Sequence, residues 1–178
     1  MTEHRAIERM LAILEAAARR LERGEPVRAD LLREAVDFVS NFADRCHHAK
    51  EEDNLFPRLE QRGVPRQGSP LGVMLAEHDQ GRAYVRGIAE PIAAYEGGDR
   101  SAARAIAGNA LGYVGLLRQH IMKEDNVLFP MADRVLSTGD QQELTQKFEQ
   151  IETEVMGSGV RERYHQLLDD LERELGLG

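Results

Sequence analysis

The sequence predicts an all-α fold: an antiparallel up-down four-helix bundle built from two duplicated helical hairpins, with additional C-terminal helices. Three observations predict it. Leu, Ala, Glu and Arg dominate the 178 residues, while β-branched residues are sparse and Trp is absent, a composition that favours helix. Apolar residues recur at helical spacing between a few Gly- and Pro-containing breaks, giving four long helices joined by short connectors. Two segments, RCHHAKEEDNLFP at 45–57 and RQHIMKEDNVLFP at 118–130, repeat one another 73 positions apart, which relates the two halves of the bundle.

Each element has its own signals. Thr2 is placed to cap a first helix running to about Arg23, with Ile7, Leu11, Leu14, Ala18 and Leu21 in phase and Gly24-Glu25-Pro26 closing it. A second helix is expected from near Asp30 to about Arg62, where GVPRQGSP breaks it. The third is expected from about Leu71 to Tyr95, ending at Gly97-Gly98, and Asp99 or Ser101 then caps a fourth that reaches about Leu136. Residues 1–137 form the expected bundle and 138–178 a C-terminal extension. There Asp140 opens a helix with Leu144, Phe148, Ile151 and Val155 on one face, Gly157-Ser158-Gly159 breaks it, and a last helix carries Tyr164, Leu167, Leu168 and Leu171. The extension is expected to pack against the bundle or a second subunit, and it shows no chemistry of its own.

The repeat carries the chemistry. Each hairpin has one His on its first helix, His4 or His78, and His-x-x-x-Glu on its second, His47 with Glu51 or His120 with Glu124. Positions four apart share a helix face, and the shared face is the apolar one. His120 and Glu124 continue the stripe Ile106, Ala110, Tyr113, Leu117, and His4 is in phase with Ile7, Leu11 and Leu14. If the first hairpin turns near Glu25, His4 and His47 fall at the same height to within ~1.5 Å, about one residue of helical rise; His78 and His120 match by the same count. Buried ionised carboxylates cost several kcal/mol each unless paired or metal-bound, and four imidazoles with two carboxylates facing inward have no comparable set of inward cations. A pair of metal ions accounts for them. Mixed His and carboxylate ligation suits non-haem iron in a bundle core, and zinc or manganese suits the same donors.

At these residues the sequence resembles the hemerythrin-like, or HHE cation-binding, family, over roughly residues 2–136. The resemblance rests on His4, the HHAKEE segment, Glu77-His78 and HIMKED. It implies a dinuclear iron centre with His4, His47, His78 and His120 as terminal ligands and Glu51 and Glu124 as carboxylates able to bridge the ions. The pattern departs from the oxygen-carrying members, whose additional histidine one turn before His78 is Met74 here and whose final carboxylate lies five rather than four residues after the last histidine. It is closer to the four-His, two-Glu members, which include iron–sulfur-centre repair proteins, without an extra N-terminal cysteine-bearing domain. If both glutamates bridge together with an oxo or hydroxo group, each iron has about five ligands and one open position, favouring reaction with O2, peroxide or nitric oxide over reversible oxygen carriage.

Several neighbours have two readings. Tyr113, where Ser40 stands in the first repeat, is first a core residue and second a phenol able to hydrogen-bond an oxygen species or donate an electron. Glu3, Glu52, Glu77 and Asp125 are either exposed acids or groups that orient a ligand imidazole. His48, aligned with Ile121, is assigned beside the centre or at the surface, Cys46 to a small buried role and His165 to the surface. Pro57 and Pro130 each remove a helical hydrogen bond beyond a ligand Glu, producing a matched bend or simple curvature.

The net charge of −8 excludes a phosphate-neutralising nucleic-acid surface. No apolar run approaches a membrane span, and a single cysteine, Cys46, allows no intrachain disulfide. A cytoplasmic protein is expected, possible as a homo-oligomer and served by an unidentified reductase. The alternatives to an oxidant-reactive di-iron protein are an iron- or oxygen-sensing module whose extension redocks, and a zinc-filled structural bundle.

Overall fold

The computed structural model describes residues 2–157 and 159–177, and it is all-α: among the described residues there is no strand. Helix α1 spans Thr2–Glu22. Helix α2 covers 29–61, with α-helical ends at Ala29–Phe38 and Phe56–Gln61 and wider π-helical turns at Val39–His48 and Glu51–Leu55. Helix α3 is Pro70–Ala89, and a short helix α4, Ile92–Glu96, follows it. Helix α5 covers 100–135, through Arg100–Lys123, a π-turn at Glu124–Leu128 and Phe129–Val135. The extension forms α6, 138–156, and α7, Val160–Leu175.

The expected hairpins are present with local differences. The third helix does not run unbroken to Tyr95: it stops at Ala89 and restarts at Ile92, because Pro91 lacks an N–H and its ring clashes with the preceding turn. Between the two candidate caps of α5, Asp99 is the one used, its carboxylate accepting from the Ser101 and Ala102 N–H groups. The extension's first helix begins earlier than Asp140, with Ser137 as the cap and Asp140 closing a reciprocal capping box. The side chains of Thr2 and Val155, and Ser158, lie outside the described residues.

Helix α5 packs along α1 and α3, and α2 closes the other side of the bundle against the same two helices. The large apolar core holds Leu11, Leu14, Leu31, Phe38, Ile106 and Leu117, all buried. A second, smaller cluster lies near the open end of the hairpins, with Leu55, Phe56, Leu59, Leu71, Met74 and Leu128. Between these two clusters sits one polar layer. The extension packs on the bundle: Tyr164, Leu168 and Leu171 of α7 join the large core and Leu144 of α6 the small one. Tyr164 also donates to Asp37 at 3.0 Å and packs edge-on against Phe38 and Phe42. None of the described helices is long and apolar enough to cross a membrane.

Candidate metal centre

The layer is shaped first by the backbone. Just before each Phe-Pro pair the helix widens: the Phe56 N–H bonds to the Glu51 carbonyl and the Phe129 N–H to the Glu124 carbonyl, five residues back in both. Pro57 and Pro130 have no N–H to donate, so an α-helical ladder cannot continue through them, and a π-turn absorbs the missing bond. The expected disturbance is therefore a matched widening centred on the two glutamates. It leaves Glu51 and Glu124 buried with Leu55 and Leu128, while Val127 turns outward, 49% exposed.

All six sequence-predicted donors, His4, His47, Glu51, His78, His120 and Glu124, are buried, none more than 7% exposed. The structure brings them together in two groups. The Nε2 atoms of His4 and His47 lie 3.3 Å apart, and those of His78 and His120 3.0 Å apart. Glu124 reaches both pairs: its Oε2 is 3.1 Å from His4 Nε2 and its Oε1 is 2.7 Å from His120 Nε2. Glu51 serves one pair, with Oε2 3.4 Å from His78 Nε2. The resulting sets, His4-His47-Glu124 and Glu51-His78-His120-Glu124, each have the spacing of a metal site. The sequence reading treated the two glutamates as equivalent; here only Glu124 spans both sets.

A ring of acids fixes the imidazoles. His4 Nδ1 donates to Asp125 at 3.0 Å, His47 Nδ1 to Glu3 at 3.0 Å, His78 Nδ1 to Glu52 at 2.7 Å and His120 Nδ1 to Glu77 at 2.9 Å. Each acid neighbours one ligand candidate in sequence and orients the imidazole of a different helix. A carboxylate can only accept, so every Nδ1 carries its proton outward and every Nε2 is directed inward. Lys50 bonds Glu3 at 2.6 Å and Lys123 pairs with Glu77. These lysines align in the repeat, and that recurrence was the available signal for a role the sequence reading did not assign.

The inward atoms repel one another unless something cationic lies among them. Glu124 oxygens approach imidazole nitrogens closely, yet all four carboxylate oxygens of Glu51 and Glu124 are buried without a hydrogen-bond partner. Burial and then the charge of Glu124 push Glu51 up to about 8. Burial acts the same way on Glu124, but the adjoining His120, His4 and His47 more than offset it and hold that carboxyl well below the usual range. Burial opposes charging His47, while Glu124 and Glu3 overcome it and raise the imidazole to about 10. Inward-facing imidazoles around two carboxylates without hydrogen bonds fit cations: both donor groups have the chemistry and spacing to hold a metal ion.

Of its two expected places, His48 takes the one beside the centre: it is 3% exposed, stacks on His78 at 3.9 Å between ring centroids and donates from Nδ1 to Asp44 at 3.3 Å. Sequence periodicity alone rotates it about 100° from His47, but the wide turns of 39–48 bring it back inside. Arg82 links the two sides of this region, bonding Asp44 at 2.8 Å and Glu52 at 2.7 Å. Tyr113 is buried and lines a cavity shared with His48 and His78. Cys46 is buried and free, Met74 is buried in the small cluster, and His165 is half-buried.

Comparison with known proteins agrees with this layer. The Hemerythrin HHE cation binding domain matches residues 1–132. An uncharacterised protein of Mycobacterium tuberculosis is 27% identical over 177 residues, covering 99% of this chain and 69% of its own length, and a Mycobacterium bovis protein matches equally. The iron-sulfur cluster repair protein YtfE of Yersinia pseudotuberculosis is 38% identical over 92 residues, 49% of this chain and 41% of its own. No solved structure matches. By its family match over most of its length and a buried layer of the kind that family's cation-binding name describes, the chain belongs to the hemerythrin HHE cation-binding family.

Proposed function

We propose that His4, His47, Glu51, His78, His120 and Glu124 hold two non-haem iron ions and that the loaded protein binds or reacts with O2, hydrogen peroxide or nitric oxide. The observation that supports it most is the inward convergence of four Nε2 atoms on two buried carboxylates that have no hydrogen bonds. Bound iron would supply one-electron chemistry and coordination positions for a small ligand. The chain's own contribution is preorganisation. Asp125, Glu3, Glu52 and Glu77 fix the tautomers, Glu124 ties the two donor sets together, and the apolar clusters on either side keep bulk water out. In this reading the protein works in the cytoplasm with a separate electron donor.

Metal analysis and the optical spectrum of protein purified under iron-replete conditions test it. Two irons per chain with near-ultraviolet oxo-bridge bands, and oxidation of the reduced protein by O2 or peroxide well above the rate for free iron, are expected. Zinc at the same stoichiometry would leave a structural bundle instead, and manganese would displace iron from the account. A sensing role has one specific support: Lys50, which bonds the Glu3 that orients His47, also contacts Glu152 of the extension at 3.4 Å. Ligand-dependent protease protection within 138–177, without turnover, would favour it.

A further inference from the structure

The duplicated bundle is not symmetric beside its centre. On the His78 side a cavity of about 230 Å³ lies between α2, α3 and α5, with the buried His48, Tyr113 and Gly81 in its wall together with the exposed Arg86. It thus connects solvent to the imidazoles of His48 and His78. Superposing the repeats gives the residues that occupy the corresponding places on the His4 side. His48 becomes Ile121, Asp44 becomes Leu117, Gly81 becomes Ile7 and Val85 becomes Leu11. All four are buried aliphatics of the large core. At these four positions the His4 side is closed by hydrocarbon, while the His78 side is open and lined with polar groups; the cavity of the His4 side lies elsewhere, where Glu3, His47 and Lys50 meet Phe148 and Arg161 of the extension.

His48 is the unexplained group on the open side. Its Nδ1 donates to Asp44, and its Nε2 is buried with no hydrogen-bond partner, a destabilising arrangement if nothing ever pairs with it. It is spaced to share an ion with His78 and His120, yet its ring lies only 13° from parallel to His78 at 3.9 Å. Lone pairs lie in the ring planes, so two stacked imidazoles cannot aim at one ion, and His48 is not a ligand of an ion held by His78. The His48 ring lines the cavity while its unpartnered Nε2 is covered by the wall, so a ligand there pairs with it once the ring turns. O2 and nitric oxide have no proton to give it, whereas hydrogen peroxide both donates and accepts and pairs with Nε2 in either protonation state.

Resting on the di-iron reading above, we infer that this cavity is a route to the centre and a binding site for the small reactant. We infer also that His48 is the group that hydrogen-bonds hydrogen peroxide beside the His78-His120 half of the centre.

Two arms test it on the full chain. In protein loaded with zinc, which is redox-silent, titration with hydrogen peroxide should shift the Nε2 nitrogen resonance of His48 saturably and leave His165 unmoved; Gly81→Ile, which copies Ile7 of the closed side, should abolish the shift. No His48 shift in the parent protein would overturn the inference. In iron-loaded protein, Gly81→Ile and His48→Leu should keep the parent metal content but react with peroxide at least tenfold more slowly. Oxidation of the reduced protein by O2 should be slowed by Gly81→Ile, and slowed by His48→Leu less than the peroxide reaction is. Parent-rate peroxide reaction in His48→Leu, which keeps the test open should Gly81→Ile not fold, would overturn the role of His48. A parent chain that takes up no iron would instead sink the proposed function, while the zinc arm still decides the cavity.

Discussion

At the scale of single residues, the account makes Glu124 and Glu51 unequal. Glu124 contributes to both donor sets and Glu51 to one, so Glu124→Ala should lose both ions, whereas Glu51→Ala should retain the ion at His4 and His47; metal stoichiometry after dialysis separates the outcomes. Removing an orienting acid is milder, and Glu77→Gln should weaken metal binding about 10–100-fold in a competition titration with a chelator. Asp44 gives a pH test. Burial opposes its ionisation, but His48 and Arg82 overcome this and bring its carboxyl down from the ordinary 3.8 to about 2. A carboxyl lowered in the folded state stabilises the fold above its unfolded pKa, and that contribution fades as pH falls from about 4 through about 2. Asp44→Asn should therefore show a shallower loss of apoprotein stability across that window than the parent, measured by urea unfolding. Cys46, buried and with its thiol pushed up to about 11 by that burial, should resist alkylation at pH 8 until the protein is unfolded.

Among the elements, the contact of α3 with α5 rests on small residues. A Cβ on Gly112 would come within 2.5 Å of the Tyr84 ring, so Gly112→Ala should cost about 1–3 kcal/mol by overpacking, seen as a lower denaturant midpoint at unchanged slope. Val39 stands at the repeat-related position, which shows how far the two hairpins have diverged in packing while keeping their polar layer. The four helices, their short turns and the six inward donors were readable because helical phase and the 73-residue repeat act over a few residues at a time. The π-turns were not, because the choice between i→i+4 and i→i+5 bonding depends on how the chain accommodates Pro57 and Pro130 against its neighbours. That widening also leaves Leu128 buried and Val127 exposed, and the wide turns of 39–48 buried His48. The orienting acids stayed ambiguous for a similar reason: each serves an imidazole on another helix, a relation no local spacing contains.

For the whole molecule, the extension shares the core of the bundle. Leu168 is fully buried in the large core, and Leu168→Ala should cost about 2–5 kcal/mol, lowering the thermal midpoint of the entire bundle in a single transition. We propose that residues 138–177 are an addition to a bundle ending near 137 and that they wall the His4-His47 side, since Phe148 and Arg161 line a cavity there with His4 and His47. The central claim is that six donors from two related hairpins enclose a pair of ions between two apolar clusters. Iron-edge anomalous diffraction from crystals of the iron-loaded chain tests it most directly. The account predicts two peaks, one among His4, His47 and Glu124 and one among His78, His120, Glu51 and Glu124. A single peak, or iron bound away from these residues, would contradict it.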